Sequence, residues 1–404
     1  MGSFPFDSSN DFEVKFTEDQ EMFRRTVEKF AEDSLRPRVK DVESADKIPV
    51  ELIEGAKALG LMGIGVPPEY GGQGGGFKEL AIMSEEISRI LPAFGTMLLV
   101  NRLFIDPLMM FGTADQKSRY LPPVAKGEVF AAHANTEPGA GSDVAGISTT
   151  AKRSGSGSGW ILNGRKIFIS NADRAQFFLV SARTSPSEPG KRWRGITTFI
   201  VERDHPGLRI GQKFNVMGLM GEHPSEVLLD DVEVPDSNVL GKIGEGFKVV
   251  LTTYDYSRIL IAAQAVGIAQ GAFEAAFKYS TERNAFERPI IAFEGVSFKI
   301  AEMLMELEAA RLLTYWAANL AESGDPKFVL ASSIAKHYAT EAAVKISKNA
   351  ISIHGGVGVD KESLVERYLR DAMITTIYEG ANDVQKLTIA KSLLRAISKD
   401  ISIS

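Results

Sequence analysis

A chain of 404 residues, 44% of them hydrophobic, is longer than one hydrophobic core usually serves, so two or three packed units are expected. A formal net charge of −6 offers no basic footprint for nucleic-acid phosphates, and the absence of cysteine excludes disulfides, thiolate metal sites and cysteine nucleophiles. Residues 1–11 are acidic and polar instead of a basic segment before an apolar one, and no apolar run reaches the roughly eighteen residues of a membrane span. The default expectation is therefore a cytoplasmic protein without membrane insertion, an organelle location requiring only that a transit peptide was removed.

Up to residue 131 the pattern is helical. Phe23, Val27 and Phe30 share one helical face, and residues 51–61 continue the pattern after Pro49. Glycines at 71, 72, 74, 75 and 76 mark a loop, residues 77–90 and 94–111 read as two helices divided near Pro92, and Pro122 and Pro123 close the region. From 132 to 243 the character changes to short β-rich runs at 176–182, 196–202 and 226–234. Asn163-Gly164 between apolar stretches predicts a type I′ hairpin across 160–170, and 154–159 reads as a flexible surface loop. From 244 onward Phe247, Val250, Leu251 and Tyr254, then Ile300, Met303, Leu304 and Leu307, restore helical spacing. The order helix, strand, helix predicts three domains, 1–131, 132–243 and 244–404, with both helical parts packed on a central β-unit.

Three segments carry candidate chemistry. Thr136-Glu137-Pro138-Gly139-Ala140-Gly141-Ser142-Asp143 is a loop whose glycines expose main-chain N–H groups and whose hydroxyls suit a polar cofactor ring or a phosphate. Alone it is more simply a glycine-rich connection. Asp255 and Arg258 are i, i+3 neighbours on a helix, an arrangement usually met as a surface ion pair. In Ile377-Tyr378-Glu379-Gly380-Ala381-Asn382-Asp383 a carboxylate sits beside an aromatic ring, where loss of water raises its pKa toward general-base use, although a solvated loop glutamate is the commoner case. The five histidines are scattered and suggest no metal site, and no Rossmann fingerprint, nucleophile elbow or Walker A loop is present.

Taken in order, TEPGAGSD at 136–143, NGRKIFISN at 163–171, the ER..F..PI pattern at 282–290 and IYEG at 377–380 resemble the acyl-CoA dehydrogenase family, over nearly the whole chain from Phe16 to Leu387. The resemblance implies an α+β fold: an N-terminal helical domain, a middle β-barrel-like domain and a C-terminal four-helix bundle, assembled as a homotetramer, a dimer of dimers. It implies FAD as cofactor, an acyl-CoA as substrate and an electron-transferring flavoprotein as acceptor. By the same resemblance Glu379 is the base for the α-proton, the β-hydride passes to flavin N5, and the thioester carbonyl is held by the Glu379 N–H and a ribityl hydroxyl. Ser257 stands where some members carry the alternative glutamate.

The family's pattern also places Thr136, Gly141 and Ser142 against flavin and pantetheine, and Phe168 and Ser170 beside the flavin ring, Ser170 replacing a commoner threonine. Arg283, Phe286 and Glu294 map to positions that reach a neighbouring subunit's FAD, Glu294 replacing a glutamine and Glu287 a common glycine. Gly355 and Gly356 would accept that cofactor's phosphate side, with His354 where an apolar residue is frequent. Ala381, Asn382 and Asp383 would lie against FAD, and Asp255, Arg258, Tyr378 and Gly380 near the substrate. Arg102 and Asp106, one turn apart on the helix lining the acyl pocket, either address a carboxylate or other polar function of the acyl group, with Asp106 alternatively handling a second proton, or pair with each other; the acyl group is expected to be cyclic or carboxylated, or a plain chain. A flavin-dependent oxidase, monooxygenase or desulfinase of the same fold, or a silent acyl-CoA-binding protein, are the alternative functions.

Overall fold

The computed structural model describes residues 15–155 and 157–397. The N-terminal region is built from α1 (Glu18–Phe30), α2 (Val39–Ala45), α3 (Val50–Ala58), α4 (Phe77–Ile90), α5 (Pro92–Phe111) and α6 (Ala114–Ala125). Local chemistry sets the starts of several: Thr17 and Thr113 each accept a hydrogen bond from a backbone N–H three residues on, at 3.2 Å, while the N3 glutamine reaches back to close a capping box. Pro92 opens α5 at a position where its missing N–H costs nothing. Pro122 and Pro123, expected to end the helical region, lie inside α6 and merely precede its last residues. Each lacks the N–H that would bond the carbonyl four residues back, so the carbonyls of exposed Ser118 and Arg119 lose that partner within the helix.

The middle region holds β1 (Phe130–Ala134), β2 (Thr150–Arg153), β3 (Gly159–Ile169), β4 (Ala175–Arg183), β5 (Ile196–Glu202), β6 (Leu208–Lys213), β7 (Ser225–Pro235) and β8 (Val239–Leu240). They form an eight-stranded sheet in the order β6-β7-β3-β2-β4-β5-β8, with β1 parallel to β4. The runs read from composition at 176–182, 196–202 and 226–234 fall within β4, β5 and β7. The hairpin expected at Asn163-Gly164 is not formed: β3 runs straight through it, paired to β2 on one side and β7 on the other. Gly164 is needed for a different reason, since a Cβ there would lie 2.3 Å from Thr149 Oγ1. Asn163 trades hydrogen bonds of 2.9 Å with Asp231 across a register shift. The turn that does reverse the chain is the one between β2 and β3.

The C-terminal region consists of α7 (Gly246–Glu282), α8 (Glu294–Glu322), α9 (Phe328–His354), α10 (Glu366–Thr375) and α11 (Asn382–Ile397), with a short β9–β10 pairing between α7 and α8. Arg258 meets Ser333 and Tyr279 stacks on His354, so α7 and α9 run parallel, while contacts Lys299–Ser352 and Lys345–Glu306 set α8 antiparallel to α9. Leu260 to Ala269 of α7 is buried on every side, because α7 is packed between α4 and α5 of the first region and α8 and α9 of its own. By length and composition α5 and α7 are apolar enough to cross a membrane, but 83% and 78% of their most apolar windows are buried inside the fold.

Candidate active site

The site is built where α7, α9 and the loop between α10 and α11 converge. α7 presents Tyr254, Asp255, Ser257 and Arg258 within little more than one turn. Arg258, 5% exposed, donates to Asp255 Oδ1 at 2.6 Å and to Ser333 Oγ at 3.3 Å, leaving its Nε without a partner. The arginine of the pair expected to lie on the surface is therefore enclosed while Asp255 is half-buried, and a permanent guanidinium charge lies beside the Glu379–Gly380 turn.

Glu379 sits in the loop with a φ of 51°, followed by Gly380 at 98°. Two successive left-handed residues reverse the chain tightly, and for the non-glycine one this is a strained geometry that the surroundings must hold. The residue is half-buried, but its Oε2 is enclosed without a hydrogen-bond partner. Burial pushes the carboxyl up to about 7, against the opposing pull of the Ser257 hydroxyl, Lys336 and Arg258, while Asp106 adds a further push upward. Tyr378 beside it donates to Gln264, which in turn donates to Pro92 O at 3.1 Å and Thr96 Oγ1 at 2.8 Å, so the loop is pinned to α5.

On the β-side, Ile167 donates to Thr136 O at 2.9 Å, which brings Thr136 beside the end of β3 carrying Phe168 and Ser170. Phe168 is 53% exposed, adopts a φ of 53° and stacks on Phe214 at 4.3 Å, presenting an open aromatic face. In the loop after β1, Glu137 is the structural member: it accepts from Lys166 Nζ at 2.8 Å, Ser148 N at 2.6 Å and Thr149 N at 3.0 Å, and these partners hold it well below the usual carboxylate range. Gly139, Gly141 and Ser142 stay at the surface, and a Cβ added at either glycine would meet nothing within 4 Å. Beside this loop, Arg192 pairs with Asp143 at 2.6 Å. Nearby lies a cleft of about 950 Å³ lined by Ser185, Trp193, Arg194, Phe247, Lys248 and Leu251.

The remaining predicted residues lie elsewhere. Arg283, Phe286 and Glu294 are exposed at the far end of α7 and the start of α8, and the stacking of Tyr279 on His354 at 4.2 Å brings exposed Gly355 and Gly356 to the same end. Among the described residues, neither Arg283 nor Glu294 has an ion-pair partner, so Glu294 simply faces outward. Arg102 donates to Ile64 O at 2.9 Å and pairs with Asp106, both residues being buried. Ala381 is half-buried and Asp383 is exposed, pairing with Lys386 at 3.1 Å, whereas Asn382, expected beside the cofactor, turns inward onto Thr340 and Glu341.

Matches to family models run the length of the chain: the acyl-CoA dehydrogenase N-terminal domain over residues 17–128, the middle domain over 132–232 and the C-terminal domain over 244–394. The chain belongs to the acyl-CoA dehydrogenase family. It is thus a flavin-dependent oxidoreductase. It is 43% identical to an acyl-CoA dehydrogenase of Bacillus subtilis over 94% of this chain and 98% of that one. It is 40% identical to a 3-(aryl)acrylate reductase of Clostridium sporogenes over 94% of this chain and 100% of the other. The structure of butyryl-CoA dehydrogenase from Megasphaera elsdenii superposes with a TM-score of 0.91 at 37% identity, covering 95% of this chain and 100% of that one.

The residues present fit the family's flavin. An open aromatic face at Phe168, a serine hydroxyl close to it in the chain at Ser170 and an exposed guanidinium at Arg283 are group types that suit a flavin ring and a pyrophosphate. Sequence reading missed two buried groups of this site. Lys336, fully buried on α9, reaches the Glu379–Gly380 loop, and His133 on β1 packs edge-on against Tyr254 at 5.5 Å with neither ring nitrogen bonded. Lys336 carried no local signal, since its partners lie over forty residues away.

Proposed function

We propose that the protein is an acyl-CoA dehydrogenase in which Glu379 removes the α-proton of an acyl-CoA thioester as the β-hydrogen leaves, giving the 2-enoyl-CoA. The enclosed, unpartnered Oε2 of Glu379 carries this reading. A carboxyl with a pKa near 7 is ionised often enough to act and basic enough to take a proton from carbon. The backbone N–H of Glu379 is the donor for the thioester oxygen, and polarisation there acidifies the α-carbon. Bound FAD, held by Thr136, Gly141, Ser142, Phe168, Ser170, Ala381 and Asp383, supplies the two-electron acceptance that side chains lack.

The thioester's carrier would run from Ser142 into the neighbouring cleft. There the exposed indole of Trp193 suits an adenine ring, and Arg194 and Lys248 suit phosphates. Arg102 already gives its terminal nitrogens to Asp106 and the Ile64 carbonyl, which favours an acyl group without a carboxylate at that point. The likeness to an acrylate reductase supports a second direction for the same groups, in which a reduced flavin, once bound, would supply the hydride for the β-carbon of an enoyl substrate and Glu379 would return the proton to its α-carbon.

Arg283, Phe286, Glu294, Gly355 and Gly356 are too far from Glu379 to serve the same cofactor end within one chain. Along α7, 25 residues separate Arg258 from Arg283, roughly 37 Å of helix. Their use of one dinucleotide is consistent with a homo-oligomer, a dimer of dimers, in which Arg283 reaches a neighbour's FAD. An electron-transferring flavoprotein is the acceptor we propose, in a cytoplasmic setting. The test is anaerobic bleaching of FAD-loaded protein by straight, branched, cyclic and dicarboxylic acyl-CoAs. Bleaching by one class, lost in Glu379→Gln, is expected; bleaching that persists in Glu379→Gln sinks the assignment of the base.

A further inference from the structure

We propose that Lys336 is a positioning residue for the base, fixing the Glu379–Gly380 turn through the Gly380 carbonyl and supplying the positive charge that keeps Glu379 ionisable inside the fold. The inference rests on Glu379 being the base. It starts from a lysine with no accessible surface on the buried face of α9. Burying an ammonium without partners costs several kcal/mol, so what it bonds to matters.

Its Nζ donates to Gly380 O at 2.9 Å and to Asn382 Oδ1 at 3.0 Å. Gln385 Nε2 donates to the same carbonyl at 2.8 Å. Two buried donors on one oxygen fix the orientation of the peptide that follows Gly380, which lies next to the strained residue that must aim its carboxylate and its N–H at one substrate. Asn382 is itself tied to Thr340 Oγ1 at 3.0 Å and Glu341 Oε1 at 2.7 Å, so the turn is anchored to α9 at successive helical positions. Neither donor would be needed to fold a helix. Both terminate on the turn.

The electrostatics run in the same direction. Burial pushes the Lys336 ammonium down, but Glu379 and Glu341 on its own helix pull it back up and Lys336 in turn pulls Glu379 down, so charge on either partner favours charge on the other; Arg258 on α7 pushes Lys336 further down, and the charge is also felt at His337. Glu379 faces Arg258 and Tyr254 from α7, Asp106 from α5, Tyr378 from its own loop and Lys336 from α9. Arg258 is shared with Asp255, which leaves Lys336 as the cation whose hydrogen bonds end on the base's own turn.

The test uses the FAD-loaded holoenzyme and Lys336→Met, Lys336→Gln and Lys336→Arg. Infrared difference spectra against Glu379→Gln read the protonation of Glu379 without substrate, and anaerobic stopped flow reads flavin reduction by the best acyl-CoA. In Lys336→Met the Glu379 midpoint should rise by about one pH unit or more. Flavin reduction should slow by about a hundredfold, the size expected for a base displaced by about an ångström. Lys336→Gln keeps a donor for the Gly380 carbonyl without the charge, so its midpoint should rise while its rate above that midpoint falls less. Lys336→Arg should bring the midpoint back toward the parent's. An unshifted midpoint in both Lys336→Met and Lys336→Gln overturns the proposal. Full flavin reduction in Glu379→Gln would instead remove the base assignment, an outcome read separately from the Lys336 variants.

Discussion

Glu379 couples the site to pH in a direction that follows from its burial. Its folded pKa of about 7 lies above the unfolded value of about 4.5, so the stability it contributes is complete below pH 4.5 and lost as pH rises through 7. A shift of this size corresponds to at most about 3 kcal/mol. Glu379→Gln should therefore stabilise the protein at pH 8 by up to about 3 kcal/mol and leave it unchanged near pH 4, as urea denaturation at the two pH values would report. The same titration should give flavin reduction an acidic limb centred near pH 7, with the rate falling below it. At Arg102 the expectation concerns folding. Removing one member of a buried ion pair strands the other, so Arg102→Leu should cost about 3–5 kcal/mol, and Arg102→Leu with Asp106→Leu should recover most of it. Preference between plain and carboxylated acyl-CoAs should not change in either variant; a selective loss of carboxylated substrates would assign Arg102 to recognition.

Among the elements, β3 shows where a local signal misleads. Asn163-Gly164 is a strong turn signal on its own, yet the glycine is there because Thr149 leaves no room for a Cβ and the asparagine because Asp231 faces it across the sheet. Gly164→Ala should destabilise the middle region by about 1–3 kcal/mol, the usual cost of overpacking, visible as a lower thermal midpoint. The helices flanking the sheet were legible from apolar spacing, and β4, β5 and β7 from β-branched and aromatic runs, because each of those patterns states which face is buried. What could not be read was any group defined by a distant partner. Lys336 looks like one more helix lysine until the α10–α11 loop brings Gly380, and the start of α11 brings Asn382, to it, and Arg258 looks like a surface ion pair until α9 covers it. Glu379 itself was legible through its motif, but not the enclosure of its Oε2, which depends on α5, α7 and α9 together.

At the scale of the whole molecule, the predicted site residues fall into two clusters at opposite ends of α7, and this separation makes a prediction about assembly. If Arg283 serves the cofactor of a neighbouring subunit, mixing Glu379→Gln with Arg283→Met should restore part of the activity each lacks. A hybrid then contains one site with an intact base from one chain and an intact arginine from the other. Size-exclusion light scattering would confirm that hybrids form, and hybrids without recovered activity would place Arg283 in its own chain's site or in none. The 37 residues of α7 span both clusters without an internal break. A single residue inserted between Arg258 and Arg283 would turn everything beyond it by about 100° and advance it by about 1.5 Å. The alanine-rich middle of this helix, chemically its plainest part, is therefore free to exchange side chains of similar size but not to change its length, and it works as a ruler whose graduations are counted in residues.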